Sequence, residues 1–166
     1  MNNNANCQEY LLDDVMAICA IPIANIPLSD PSSVANCLGP TIRRADFVPS
    51  YDGAITIGLQ PAVSGGKLIP IRRTTGKAKD DTSDSVAGRL HTVTVTCDVD
   101  DRDGAVWADL LMLERMPSHL RLTFRNQSLA FVSANRDSYL CTVERDGART
   151  TVTLRIQCLM GVQPII

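Results

Sequence analysis

Aromatic side chains are scarce: the 166 residues include one Trp, three Tyr and three Phe. With so few rings among the basic side chains there is no stacking platform for nucleic-acid bases. An excess of positive charge is missing as well. Sixteen Lys and Arg against eighteen Asp and Glu leave a net charge of −2, which excludes a generally basic nucleic-acid binder. No basic residue precedes Arg43, so the cationic start of a secretory signal is absent and a cytoplasmic setting is expected. Long apolar runs are lacking too. Residues 15–28 are interrupted by Pro22, Asn25 and Pro27 and fall short of the roughly 20 residues that span a bilayer, so no membrane segment is expected.

Metal-ligand spacing is also missing. Cys7, Cys19, Cys37, Cys97, Cys141 and Cys158 form no CxxC pair and have no His at zinc-ligand spacing, so no metal cluster is expected. Cys97, Cys141 and Cys158 continue the apolar parity of strand-like segments and read as small buried hydrophobes in a reduced interior. Dinucleotide (GxGxxG) and hydrolase (GxSxG) signatures are absent, and Gly66-Lys67 and Gly76-Lys77 lack the rest of a phosphate loop. The acidic run Asp98 to Gly104 invites a calcium reading. Counting back from Gly104, however, puts Val99 at the first ligand position and Leu110 at that of the bidentate Glu.

A thiol nucleophile would need Cys97 or Cys141 beside His91 or His119, and no local spacing brings them together. Asp13-Asp14 and Asp80-Asp81 read as solvated pairs. Arg121, Arg125, Arg145, Arg149 and Arg155 read as part of a mixed-charge face. No catalytic, cofactor or metal residue is assigned, and a non-enzymatic protein is expected.

What is present is a β pattern. With 45% apolar and 20% charged residues, a chain of this length forms one domain and buries roughly 70% of its unfolded surface. In residues 91–99, Val93, Val95, Cys97 and Val99 alternate with threonines, as in a half-buried strand. Ala105 to Arg115 has helical spacing, with Asp101 or Asp103 as N-cap and Pro117 as the stop. Strands follow at 120–125, 129–133, 138–145 and 149–158, joined by turns at Asn126-Gln127-Ser128 and Asp146-Gly147. Upstream, 47–51 and 54–59 flank Asp52-Gly53 as a further hairpin, with Pro49 marking an edge. Gln8 to Ile18 suits either a helix or a strand. The fold class is mainly β (α+β): an antiparallel sandwich or barrel-like sheet with one helix on its flank near 105–115.

Residues 60–89 contain Pro61, Gly65, Gly66, Pro70, Gly76 and Gly88 and a hydrophilic stretch from Thr74 to Ser85. Compact domains seldom hold so long an irregular connection, so it reads as disordered or as an arm that gains order on something else. Its interaction candidates are Lys67, Leu68, Ile69, Ile71, Arg72, Arg73, Lys77 and Lys79. The Pro-rich segment 1–42 carries Glu9, Asp13, Asp14 and Asp30 with no base, so head-to-tail pairing with a basic arm of another copy would give a homo-oligomer; the alternative is that the two segments meet within one monomer or stay mobile.

The order hairpin, long polar arm, long strand, acidic turn, helix and antiparallel strands over residues 45–160 resembles a bacteriophage tail-tube subunit and the related tubes of contractile injection systems. The matching pieces are Leu90 to Val99, Ala105 to Arg115 and Leu120 to Cys158. The resemblance implies a structural protein of a virion or prophage, rings that stack, residues 60–89 as the loop contacting neighbours, other structural proteins as partners, and nucleic acid met only in a tube lumen. The first 40 residues depart from that pattern and leave room for another assembly role. The alternative is a monomeric β-rich binding module with residues 60–89 as a lid over a ligand pocket.

Overall fold

In the computed structural model, described for residues 15–23, 54–58, 67–86, 88–101 and 104–165, two sheets enclose one main core. The strands are β1 (Val15–Pro22), β2 (Ile55–Gly58), β3 (Lys67–Pro70), β4 (Lys77–Ser85), β5 (Gly88–Val99), β6 (Ser118–Phe124), β7 (Leu129–Val132), β8 (Tyr139–Asp146), β9 (Arg149–Cys158) and β10 (Gln163–Ile165). Helix α1 (Trp107–Arg115) lies between β5 and β6. The six-stranded sheet has the order β10-β7-β6-β1-β2-β3 and the four-stranded sheet β4-β5-β9-β8. The expected mainly β, antiparallel sandwich with a flanking helix is found, and neither sheet closes into a barrel. One pair departs from the antiparallel rule: β2 and β3 run parallel.

The alternation in β5 does what its residue types dictate. Val93, Val95, Cys97 and Val99 are buried, and they share the core with Val152, Leu154 and Ile156 of β9. The six-stranded sheet supplies Ile18, Ile57, Ile69, Leu120, Leu122 and Val132 from the other side. Leu110 and Leu113 add the buried face of α1. Of the open choice at Gln8 to Ile18, the described part is a strand. β1 sits between β6 and β2 and is buried on both faces, with Ile18 and Ala20 toward the core and Cys19 and Ile21 on the opposite side. Double burial turns a strand into a near-continuous apolar run and erases its period.

Turn chemistry holds with one shift. At the β6–β7 turn Gln127 takes φ 66°, Phe124 N–H donates to Ser128 O (3.0 Å), and Asn126 Oδ1 accepts from Ser128 N–H (3.0 Å). In the β8–β9 hairpin Asp146 is paired with Arg149, so the two-residue turn is Gly147-Ala148, one position later than expected. Only Gly147 needs positive φ (59°), the pattern of a II′ turn. The helix start also moves. Val106 is the N-cap, with no side-chain cap bond of its own; Asp101 Oδ1 instead accepts the Val106 N–H at 3.4 Å. The proposed strand 47–51 and its Asp52-Gly53 turn, most of segment 1–42, and residues 60–66 lie outside the described residues.

The largest correction concerns the arm. Residues 67–70 form β3, 77–85 form β4, and β5 begins at Gly88. Pro70-Ile71-Arg72 crosses between the sheets: Ile71 bridges Val99, and Arg72 N–H donates to Asp98 O at 2.8 Å. β4 pairs with β5 over nine consecutive partners from Lys77↔Thr96 to Ser85↔Gly88. Its polar sequence reads as loop because an edge strand near the end of a core needs few apolar contacts; Ala78 is its one buried residue. The backbone ladder, which leaves no mark on composition, supplies the order.

Candidate functional site

The expected interaction residues separate into two groups. Ile69 and Ile71 belong to the core. Lys67 is held by Asp109 of α1 at 2.6 Å, Lys79 by Asp81 at 3.0 Å, and Arg89 by Asp84 at 3.3 Å. Three of the six bases expected to attract an acidic segment of another copy, Lys67, Lys79 and Arg89, are thus paired within the chain. Leu68, Arg73 and Lys77 are exposed, Arg72 is half-buried, and Arg72, Arg73 and Lys77 have no ion-pair partner among the described residues.

The four-stranded sheet has two edges, and they are treated differently. On β8, Glu114 of α1 accepts the Val143 N–H at 3.1 Å, and Tyr139 Oη donates to Leu113 O at 2.8 Å. The Arg145 guanidinium stacks 4.1 Å over Trp107 and pairs at 2.6 Å with Asp101. The helix thus meets this edge at Tyr139, Val143 and Arg145, although five of the eight β8 residues are exposed, and such contacts hinder strand addition. On β4 seven of nine residues are exposed, and among the described residues β5 alone is paired with it.

Beyond the end of β9, where Cys158 faces His91, β4 and β5 continue as a two-stranded ribbon through Ser83↔Leu90, Asp84↔Arg89 and Ser85↔Gly88. Three pairs extend about 10 Å. The tip carries a fully exposed Val86, and Ser85 Oγ donates to Gly88 O at 2.8 Å.

A polar cluster missed in the sequence lies at the root of this ribbon. His91 Nδ1 donates to Asp80 Oδ1 at 2.8 Å, Asp80 Oδ2 accepts the Val162 N–H at 3.1 Å, and the Cys158 thiol donates to Gly161 O at 3.8 Å. Asp80 is therefore not a solvated partner of Asp81; its side chain is 16% exposed. The cluster holds the chain where it leaves β9 for β10 in the other sheet. No group of three or more metal-ligating side chains able to hold an ion occurs among the described residues. Gly161 takes φ 63°, and a Cβ there would run into the Asp80 carboxylate and the His91 ring. Gly161→Ala is expected to lower stability by about 2 kcal/mol in urea titration.

The thiol–imidazole pairs considered from sequence are not assembled as reactive sites. Burial pushes the Cys97 thiol up to about 12, with Asp98 and Cys141 adding to it. Burial does the same to Cys141, also to about 12, reinforced by Glu114. Neither forms thiolate near neutrality. His119 is 9% exposed and accepts the Ala134 N–H on Nδ1 at 2.9 Å. Burial lowers its pKa to about 4.

The His119 shift has a defined sign. The unfolded chain binds this proton below about pH 6.5, whereas the folded chain resists it until about pH 4. The stabilisation is complete above pH 6.5 and is lost as pH falls toward 4, by roughly 3 kcal/mol in all. Urea midpoints measured from pH 7 to pH 4.5 are expected to fall accordingly. His119→Asn, which keeps an acceptor for Ala134, should flatten that slope; an unchanged slope would assign it elsewhere.

The five arginines expected on one face are divided between β6 and its following turn and the β8–β9 pair. Two described cavities are lined by Pro22, Ile23, Arg115, Met116, Pro117 and Arg136, and by residues 137–140 with Arg155 and Gln157. Residues 67–86 border neither, so neither supports the lid alternative. No membrane-spanning helix occurs among the described residues.

Comparison with protein-family models, curated proteins and solved structures finds no match.

Proposed function

We propose that this chain is a non-enzymatic structural or assembly subunit that self-associates through the open edge of β4 and the ribbon beyond it. The observation that carries the reading is the asymmetry of the four-stranded sheet. One edge is capped by helix contacts, whereas the other is exposed and runs on into a projecting two-stranded hairpin. Two-stranded ribbons are marginal alone and gain stability when another strand completes them. The tail-tube-like order of elements belongs to the same proposal, with the ribbon in place of the neighbour-contacting loop. Joining β4 of one copy to β8 of the next would displace α1, so the contact that fits best places β4 against β4 of a second copy.

The test is solution mass by light scattering after size exclusion. The full chain, 18.0 kDa as a monomer, is expected to run as a multiple of that mass. Replacing Asp84–Arg89 with Asn-Gly, a two-residue turn suited to the Ser83↔Leu90 pair, is expected to shift the equilibrium toward monomer. A full chain that stays monomeric at millimolar concentration overturns the proposal.

A further inference from the structure

Where β1 ends against the end of α1, the backbone builds a cavity of about 300 Å³ lined by Pro22, Ile23, Arg115, Met116, Pro117 and Arg136. Its walls are fixed by main-chain bonds: Ile23 N–H donates to Pro117 O at 3.1 Å and Met116 N–H to Met112 O at 2.9 Å. Pro22 is paired with Ser118, and Ser118 Oγ donates to Met116 O at 2.8 Å. Arg136 stands in an equally ordered turn, because Asn135 Oδ1 accepts the N–H groups of Asp137 (3.1 Å) and Ser138 (2.9 Å). Such a site needs little rearrangement to receive a ligand.

Two cations line it, with no counter-charge paired to either among the described residues. Arg89, Arg145 and Arg149 each have a carboxylate within 3.3 Å, but no carboxylate among the described residues lies at ion-pair distance from Arg115 or Arg136. Arg115 has a structural role, since a base in the last helical turn complements the negative end of the helix dipole. That does not account for Arg136, which comes from a different element and lines the same cavity. The remaining walls are two prolines, an isoleucine and a methionine.

We propose that this cavity binds a small organic monoanion: a carboxylate held by the Arg115 and Arg136 guanidinium groups, with an aliphatic or aromatic body against Pro22, Ile23 and Pro117. Guanidinium forks match carboxylate oxygens in pairs. The apolar wall disfavours a compact, multiply charged anion such as phosphate. This inference is independent of self-association.

The full chain is titrated with phenylacetate, phenylacetamide and inorganic phosphate, and the methyl resonances of its five methionines are followed by NMR after selective labelling. Phenylacetate is expected to give a saturable shift centred on Met116 with a dissociation constant of about 1 mM. Removing the charge–charge bonds, either with the neutral amide probe or in Arg115→Gln/Arg136→Gln, should weaken binding about tenfold or more. Both arginines are exposed, so the variant should keep its fold, and the amide probe tests the same point on the unaltered protein. Absence of saturation at about ten times that concentration, equal binding of the amide, phosphate binding as tightly as phenylacetate, or an undiminished response in the double variant would each overturn the proposal.

Discussion

Replacing Gly76 with alanine is expected to destabilise the fold by about 3 kcal/mol or more, the largest effect expected at any of the described glycines. Gly76 precedes β4 and is buried where the chain passes the first residue of β1. Its carbonyl accepts the Val15 N–H at 3.1 Å, a direct main-chain bond between the two sheets at this corner. A Cβ at position 76 would occupy the place of the Val15 carbonyl oxygen and lie 3.0 Å from its carbon and 3.2 Å from the Val15 Cβ. The obstacle is backbone, which cannot rotate aside, so relief requires the two strands to separate. That separation would break the joining bond and open the core around Val15 and Ala78, both core members. Urea unfolding followed by circular dichroism measures the effect. A loss below about 1 kcal/mol would show that the sheets tolerate displacement at this corner.

The same corner explains what could and could not be read from the sequence. β5 was legible because one of its faces meets the core and the other meets water: Val93, Val95, Cys97 and Val99 are buried, while Thr92, Thr94 and Thr96 are half-buried. Helix α1 was legible from Leu110 and Leu113, the β6–β7 turn from its short polar segment, and the β8–β9 turn to within one position. β1 was obscured for the opposite reason. With Ile18 and Ala20 on one face and Cys19 and Ile21 on the other all buried, nothing in the pattern separates a strand from a helix.

β4 was hidden because its register, not its composition, places it. Asp80 occupies a core-parity position and finds His91 and the Val162 amide there. A hairpin turn between Ser85 and Gly88 would have aligned Thr82 with His91 and brought Asp80 within one diagonal of the imidazole. The signal for the missed cluster was therefore pairing geometry, which a reading by hydrophobic period does not capture. The parallel β2–β3 pair leaves even less trace, since its partners are set by where the intervening chain returns.

Charge reversal on β4 tests the proposed contact itself through its register. If two copies place their β4 edges antiparallel about a two-fold axis at Asp80, Lys79 of each faces Asp81 of the other, with Lys77 opposite Ser83 and Ala78 opposite Thr82. The Lys79–Asp81 bridge of 3.0 Å within each chain would then be lost, and the two internal bridges of the pair exchanged for two across the interface. Lys79→Asp places like charges opposite each other twice, each destabilising by up to about 1 kcal/mol, so association should weaken by roughly tenfold or more. Lys79→Asp/Asp81→Lys restores opposite signs at both positions and should recover the association. Neither change should much affect the stability of the single chain, because both side chains are largely exposed, at 73% and 56%, and such pairs contribute little. Sedimentation velocity on the three proteins measures this directly. Association equal to that of the unaltered chain in the single variant would remove β4 from the interface, and failure of the double variant to recover would reject this register while leaving the edge in place.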